Sequence, residues 1–356
     1  MAPESGNHQE PAGVDPPTGP HPGEDRAESP GPSRQVERAA PDELSDLPHG
    51  AWWAVLRRTG KEFLADELPD RAAALTYYGV LAIFPSLLVL VSTLGVIGRT
   101  ATQGILDNLQ DLAPGPATDL LRDAVGQLQN SSGPSSVLGV VSLLAAVWAA
   151  SGYVGAFIRA ANAVYDVAEG RPIWKVTPLR LGLTVLLMVM LAASAVIVVF
   201  TGPLADRAGR ALGLGGTALT LWAYAKWPVL LLLVVGMIAV LYWAAPNVRG
   251  RGLRWITPGS ALSVLIWLAA SAGFASYVAN FASYNKIYGT LAGVIVFLVW
   301  LWLANLAILL GLEFDAELSR ARAIEGGHPA DEEPYVEPRD TSTWPSESGP
   351  GSTAEG

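Results

Sequence analysis

Polar side chains in the apolar part of this chain gather near one end of the stretches that carry them. Eight of them carry a charge or an amide: Asp70, Arg71, Arg159, Asn162, Asp166, Asn247, Glu313 and Asp315. An isolated charge at that depth in a membrane is costly, so such groups pair with one another or bind a charged group from outside. We expect Glu313 to pair with Arg71 or Arg159. Two interpretations stay open: a simple set of interfacial charges, or a polar vestibule for a charged headgroup or solute.

The residue types on which most enzymes depend are missing from this apolar part. All four histidines lie in the terminal segments, at positions 8, 21, 49 and 328, and the chain has no cysteine. Neither a nucleophile elbow of the Gly-x-Ser-x-Gly type nor a phosphate loop ending in Gly-Lys-Ser or Gly-Lys-Thr is present. We therefore predict no catalytic residue, no cofactor and no metal site, and a protein that is not an enzyme.

Six apolar stretches must position the polar residues. They cover residues 73–97, 137–158, 181–202, 227–245, 256–279 and 290–312. A helix needs roughly 20 apolar residues to cross about 30 Å of hydrocarbon, and all six pass, the fourth only narrowly. The sequence predicts an all-α membrane protein with a six-helix transmembrane bundle.

Three residues inside these stretches could matter beyond packing. Pro85 removes a backbone hydrogen bond near the middle of the first stretch and should kink the helix there. The kink is a candidate hinge, although a change of helix shape alone is the simpler interpretation. Asn305 and Ser271 are intramembrane polar residues, and an asparagine at such depth bonds a neighbouring helix more often than a ligand.

The two ends of the chain differ sharply from its centre in composition. Residues 1–49 hold 10 acidic and 3 basic side chains, and residues 325–356 hold 8 and 1, so each end has a net charge of −7. The centre, residues 50–324, is therefore at +5 although the whole chain is at −9. Both ends are rich in Pro, Gly, Ser and Glu, a composition that predicts disordered acidic tails.

Lysine and arginine indicate which side of the membrane the ends occupy. Connections on the side of the N-terminus hold 13 of these residues and the other connections hold 6. The positive-inside rule then predicts that both termini lie in the cytoplasm. Before the first stretch, Trp52, Trp53, Leu56, Phe63 and Leu64 recur at near-helical spacing with Arg57, Arg58 and Lys61 between them, which predicts an amphipathic interfacial helix.

The last third of the chain carries a recognisable combination of motifs. It comprises Tyr288-Gly289-Thr290-Leu291-Ala292-Gly293, Trp300-Leu301-Trp302 and Leu310-Gly311-Leu312-Glu313-Phe314-Asp315-Ala316-Glu317, preceded by Asp70-Arg71-Ala72-Ala73-Ala74-Leu75-Thr76-Tyr77-Tyr78 and Ala161-Asn162-Ala163-Val164-Tyr165. Over residues 50–320 the chain resembles the YihY/BrkB family of bacterial inner-membrane proteins. The resemblance implies six spans. Members of that family have carried the labels serum-resistance virulence factor and ribonuclease BN, and relatives have been linked to envelope lipid traffic.

Two functions agree with these observations. The first is the movement or handling of lipids or other amphipathic envelope components across the membrane, with membrane lipids as partners. The second is a non-transporting scaffold that recruits protein partners for envelope assembly. Ribonuclease activity is not expected, since it would need a metal site or a histidine acid-base pair. Nucleic acid is not an expected partner either, because the centre lacks a clustered basic and aromatic surface. No feature specifies an oligomeric state.

Overall fold

The computed structural model describes residues 31–41, 47–97, 137–199, 209, 216–249, 257–280 and 290–345. Within these residues every extended element is an α-helix, and a single β-bridge joins Val248 to Pro338. The helices are α1 (Arg34–Ala39), α2 (His49–Ala65), α3 (Leu68–Ile97), α4 (Val137–Val164), α5 (Ile173–Val199), α6 (Gly216–Ala244), α7 (Pro258–Asn280) and α8 (Thr290–Glu325). The predicted all-α class is confirmed.

Four of these helices are long and apolar enough to cross a membrane, judged over the described residues alone. Their candidate spans are Ile173–Val198, Gly216–Ala244, Pro258–Tyr277 and Gly293–Glu325. Helices α3 and α4, with 30 and 28 residues, coincide with the first two apolar stretches of the sequence. Helices α5 and α6 each begin earlier than the stretches that predicted them, at Ile173 rather than 181 and at Gly216 rather than 227.

Large apolar side chains face outward along these helices. Leu221, Leu232 and Leu265 are each more than 60% exposed, and the most apolar window of each candidate span is only 17–22% buried. Such a surface would aggregate in water, whereas hydrocarbon solvates it without penalty. The outward faces are therefore suited to contact with lipid.

The buried core lies toward one end of the bundle. Leu68, Leu75, Phe157, Leu309 and Leu312 are almost wholly buried there and come from the start of α3, the end of α4 and the second half of α8. Helix α8 contacts α2, α3, α4 and α7, which makes it the central helix of this end.

Side-chain hydrogen bonds connect α8 to the neighbouring helices. The side chain of Asn305 accepts a bond from the Tyr153 hydroxyl (2.9 Å) and donates one to Thr76 Oγ1 (3.1 Å). Trp300 Nε1 donates to Ser271 Oγ at 3.1 Å. Asn305 and Ser271 thus bond neighbouring helices, as the simpler interpretation of the sequence had it. Pro85 lies within α3, and its role as a hinge stays a prediction.

Two glycines bring α7 and α8 into backbone contact. A Cβ atom on Gly311 would overlap Ser263 Oγ and the carbonyl oxygen of Gly259, and one on Gly259 would overlap the carbonyl oxygen of Gly311. Small residues allow helices to approach this closely in a membrane.

The segments that flank the bundle are partly ordered, which differs from the predicted tails. Residues 326–345 pack across one end of the bundle, where Arg339 donates to the carbonyls of Trp243 and Val248, and Thr343 N donates to the Gly170 carbonyl. Arg322 of α8 donates to the Pro41 carbonyl, which holds the segment after α1. The acidic composition predicted a free tail, but the backbone groups of residues 326–345 find partners on the bundle. Residues 1–30, 42–46 and 346–356 lie outside the described residues.

Helix α2 packs against the charged end of α8. Its Trp52 ring lies 6.4 Å from Phe314, and Val55 is buried in the same apolar cluster. Arg58 Nε donates to Glu317 at 2.9 Å. On the other side of α2, Trp53 and Leu64 are more than 70% exposed, so this apolar face has no partner among the residues that the structure describes.

Candidate polar rim and its cavities

One end of the bundle carries most of the polar residues that the sequence singled out, and we call this end the rim. Asn162, in the last turn of α4, accepts a hydrogen bond from the backbone N–H of Asn247 at 2.7 Å. The Asn247 amide in turn donates to the carbonyls of Ala168 (3.2 Å) and Asp340 (2.8 Å). Both asparagines are at least 96% buried. They join the ends of α4 and α6 to the C-terminal segment.

A buried arginine, which the sequence analysis counted only as an orientation signal, reinforces this junction. Arg171 binds Glu169 through two bonds of 2.7 Å, from Nε to Oε1 and from NH2 to Oε2, and NH2 also donates to the Ala245 carbonyl at 2.8 Å. Glu169 also accepts from Asn162 at 2.9 Å. Two-pronged arginine–carboxylate pairs are strong and fix geometry. The signal available in the sequence was the spacing Glu169-x-Arg171 just after the last turn of α4.

Two carboxylates near the end of α8 are buried in different ways. Asp315 accepts the backbone N–H of Gly259 at 2.8 Å and so caps the N-terminus of α7 from a neighbouring helix. Glu313, only 2% exposed, lies beside Asp66 in the wall of a pocket.

The expected pairing of Glu313 with Arg71 or Arg159 stays a prediction, and both arginines have other contacts. Arg71 Nε donates to the Asp66 carbonyl at 2.7 Å, and the Arg159 guanidinium lies 6.0 Å from the centre of the Tyr78 ring. Asp70 and Arg159 are exposed, whereas Asn162, Asn247, Glu313 and Asp315 are buried. Asp166, whose φ of 51° is left-handed, lies beside Glu313 in the wall of a pocket.

The C-terminal segment is held to the rim by ion pairs. Lys175 Nζ lies 2.5 Å from Asp340 Oδ2, and Arg249 pairs with Glu337. The hydrogen bond from Lys175, aided by Ser342, holds the pKa of Asp340 well below its usual range. Burial lowers the pKa of Arg339 and raises that of Tyr335.

Two cavities of different chemistry lie in the bundle, and the C-terminal segment lines one of them. The first, of about 390 Å³, is the rim cavity, and its wall includes Arg249, Arg322, Glu337, Tyr165 and Trp243. The second, of about 290 Å³, is the apolar cavity, which lies deeper among the helices. Its wall is almost wholly apolar and draws on α3 to α8, with Ala150, Leu187, Met188, Val234, Trp267 and Ala304 among its residues.

One tyrosine links the walls of the two cavities. Tyr242 lines the rim cavity, and its hydroxyl is hydrogen-bonded to Ser263 Oγ at 2.6 Å and to the carbonyl of Ile308, a residue that lines the apolar cavity. Its ring stacks on Phe157 with 6.3 Å between the ring centres. A hydrogen-bonded side chain in the wall of the charged chamber therefore contacts a residue in the wall of the apolar chamber.

Comparison with known protein families identifies the wider group. The family model described as virulence factor BrkB matches residues 59–335, which takes in the apolar cavity, most of the residues that line the rim cavity and the first half of the C-terminal segment. The chain belongs to the BrkB family. The resemblance noted in the sequence is thereby confirmed, and the match ends inside the segment that composition alone had assigned to a free tail.

Other BrkB-like chains carry names of two kinds. A Bacillus subtilis protein named ribonuclease-like protein YfkH is 29% identical over 281 residues, which cover 79% of this chain and 98% of that protein. Proteins named UPF0761 membrane protein from Alkalilimnicola ehrlichii and Chromohalobacter salexigens are each 30% identical, over 73% and 77% of this chain. The chain spans 57% of the Alkalilimnicola protein. No solved structure matches the chain.

Proposed function

We propose that this protein moves or handles lipids, or other amphipathic envelope components, across the cytoplasmic membrane of a bacterium. The observation that carries the proposal is the hydrogen bond by which Tyr242, in the wall of the rim cavity, contacts Ile308, in the wall of the apolar cavity. A lipid has a charged headgroup joined to an apolar chain, and these two chambers offer a matching environment for each part. Arg249 and Arg322 in the wall of the rim cavity suit an anionic headgroup, because arginine binds phosphate through several donors.

The membrane topology that goes with this function has six spans and both termini in the cytoplasm. The four candidate spans, together with α3 and α4, supply six helices of at least 23 residues. Positive-inside charge then puts the rim on the cytoplasmic side, with α2 lying at the inner surface and its exposed Trp53 and Leu64 in the headgroup layer. A reporter fused after Gly133 should read outside, and one fused at the C-terminus should read inside. The reverse pattern would refute this topology.

Lipid retention by the purified protein tests the binding part of the proposal. Ala150 is 4% exposed and lines the apolar cavity, so Ala150→Phe fills the chamber with a ring. Ala145, on the same helix, is exposed, and Ala145→Phe is the matched control. We expect mass spectrometry to find fewer phospholipid molecules on Ala150→Phe than on the wild type or the control. Equal retention by all three proteins would contradict the proposal.

The scaffold function is supported by a different observation. The C-terminal segment turns the acidic side chains of Asp331, Glu332 and Glu333 to the surface while its backbone is fixed to the rim. An ordered acidic surface can bind a basic partner at low entropic cost. Under this alternative, Ala150→Phe would complement a deletion strain as well as the wild type does. A variant with those three acids changed to Asn, Gln and Gln would not complement it.

Ribonuclease activity forms no part of the proposal. The bundle offers carboxylates, tyrosines and arginines at the rim, and among the described residues no group of three or more His, Cys, Asp or Glu side chains could hold a metal ion. His328 stacks edge-on against Tyr335 and bonds the Glu332 carbonyl at the surface. Cleavage of RNA by a purified protein that lacks residues 1–30 and 346–356 would overturn this position.

A further inference from the structure

A third pocket at the rim differs from the two cavities in its charge. It has a volume of about 220 Å³ and lies between α2, the end of α4, α8 and the C-terminal segment. Six carboxyl groups line it, those of Glu62, Asp66, Asp166, Glu313, Glu317 and Glu333. We call it the acidic pocket.

The cations around this pocket are fewer than the acids. Arg58 pairs with Glu317 and Glu62, and Lys61 lies 3.7 Å from Glu62. Arg320 lines the pocket with its guanidinium 4.2 Å from the centre of the Tyr335 ring. Arg71 bonds the Asp66 carbonyl. Among the described residues that line the pocket, one cation, Arg320, accompanies the six carboxyl groups.

A buried acceptor without a partner lines this pocket. Glu313 is 98% buried, yet its Oε2 atom has no hydrogen-bond partner among the described residues. Buried carboxylate oxygens in native proteins are nearly always bonded, since an unmade bond costs roughly 1–3 kcal/mol or more. The vacant acceptor therefore points to a donor that enters the pocket from outside.

The spread of the carboxyl groups decides which donor fits. A hard metal ion needs several oxygens converging at about 2.0–2.6 Å, and the described part of the chain contains no such group of acids. An ammonium group carries three donors and no acceptor, which complements carboxylates that only accept. A chain of amines can reach acids that are too far apart to share one ion.

We propose that the acidic pocket binds an organic ammonium group, such as that of a polyamine or of an amine-bearing lipid headgroup. The ammonium donates to Glu313 Oε2, and Asp166 and Glu333 bind the remaining positive charge. The acidic pocket shares Tyr165, Tyr335 and Val336 with the wall of the rim cavity, but the proposed site stands whether or not the protein moves lipids.

Calorimetry with the full-length protein in phosphatidylglycerol nanodiscs at fixed ionic strength tests the site. Spermidine is the probe, and Mg²⁺ at matched charge is the comparison. We expect spermidine to bind the wild type and to bind Glu313→Gln about tenfold more weakly, since one acceptor for a charged donor is lost. The glutamine amide can still donate a hydrogen bond to the neighbouring Asp66, so this change should leave the fold intact. Glu325→Gln, an exposed change on the same helix outside the pocket, should bind as the wild type does.

A second variant covers the case in which Glu313→Gln does not fold. Asp166→Asn removes another carboxylate from the pocket, and asparagine tolerates the left-handed φ of that position. It should also weaken spermidine binding severalfold. The proposal is overturned if spermidine does not bind, if Mg²⁺ binds equally well, or if both pocket variants match the Glu325→Gln control. Nanodiscs that contain phosphatidylethanolamine show which kind of amine the pocket binds. If phosphatidylethanolamine weakens spermidine binding, the pocket binds the amine of a lipid headgroup. If spermidine binding is unchanged, the pocket binds a free amine.

Discussion

Replacing Arg171 by methionine should destabilise the rim more than any change of a surface charge. The guanidinium is almost wholly buried and makes three charge-assisted bonds, two to Glu169 and one to the Ala245 carbonyl. Loss of one partner of a buried ion pair costs about 3–5 kcal/mol. Glu169 keeps 32% side-chain exposure and can regain water, so the lower end applies, about 3 kcal/mol. That loss corresponds to roughly a hundredfold fall in the ratio of folded to unfolded protein.

The assay is equilibrium unfolding in detergent, followed by tryptophan fluorescence, with hydrogen exchange at residues 162–171 as the local readout. The control is Arg249→Ala, which removes a surface pair with Glu337 whose arginine is 55% exposed and should cost only about 0–1 kcal/mol. The double variant Arg171→Met with Glu169→Gln should recover part of the loss, because no buried carboxylate is then left without its partner. The reasoning is refuted if Arg171→Met costs no more than Arg249→Ala, or if the double variant is the least stable of the set.

Three further outcomes follow from the same contacts. Gly311→Ala should force α7 and α8 apart and lower stability by about 1–3 kcal/mol, measured by the same unfolding assay; an unchanged midpoint would disprove the close contact. Asn305→Leu should cost about 1 kcal/mol through its bonds to Tyr153 and Thr76, and a stabilised variant would show that those bonds contribute nothing. Because the pKa of Asp340 is lowered in the folded state, its contribution is full above about pH 4 and is lost as pH falls through the folded value. Proteolysis of the C-terminal segment should therefore accelerate below about pH 4, and a flat profile from pH 7 to 3 would contradict this.

Helix positions followed from the sequence wherever the apolar run was unbroken. The start of α5 was missed because Lys175 and Arg180 interrupt the apolar pattern, although Ile173 already lies in the helix. The start of α6 was missed for a similar reason, since Lys226, which was expected to precede the helix, lies inside it. A scan for apolar length detects the part of a helix that can lie in hydrocarbon, whereas the helix itself continues into the polar layer.

The candidate site was predictable only in outline. The sequence placed Asn162, Asn247, Glu313 and Asp315 at one end of their helices, and the structure buries all four there. It did not reveal that Asp66, in the turn between α2 and α3, lines a pocket together with Glu313. Neighbours of this kind depend on how distant turns meet.

The C-terminal segment shows a second limit of composition as a guide. Its Pro, Gly and acidic residues are those of a disordered chain, yet Asn247 bonds both the backbone N–H and the carbonyl of Asp340. Such bonds come from the buried amide of a residue 93 positions away along the chain. No local pattern in residues 326–345 carries that information.

Lipid movement by the pure protein is the most direct test of the central claim. Proteoliposomes with a fluorescent phospholipid in both leaflets would be bleached from outside by an impermeant reductant, with wild type, Ala150→Phe and Ala145→Phe compared at equal protein density. We predict that the wild type and the Ala145→Phe control expose inner-leaflet lipid to the reductant, whereas Ala150→Phe leaves it protected as in protein-free vesicles. Equal protection in all three, or equal exposure in all three, would contradict the lipid path through the apolar cavity.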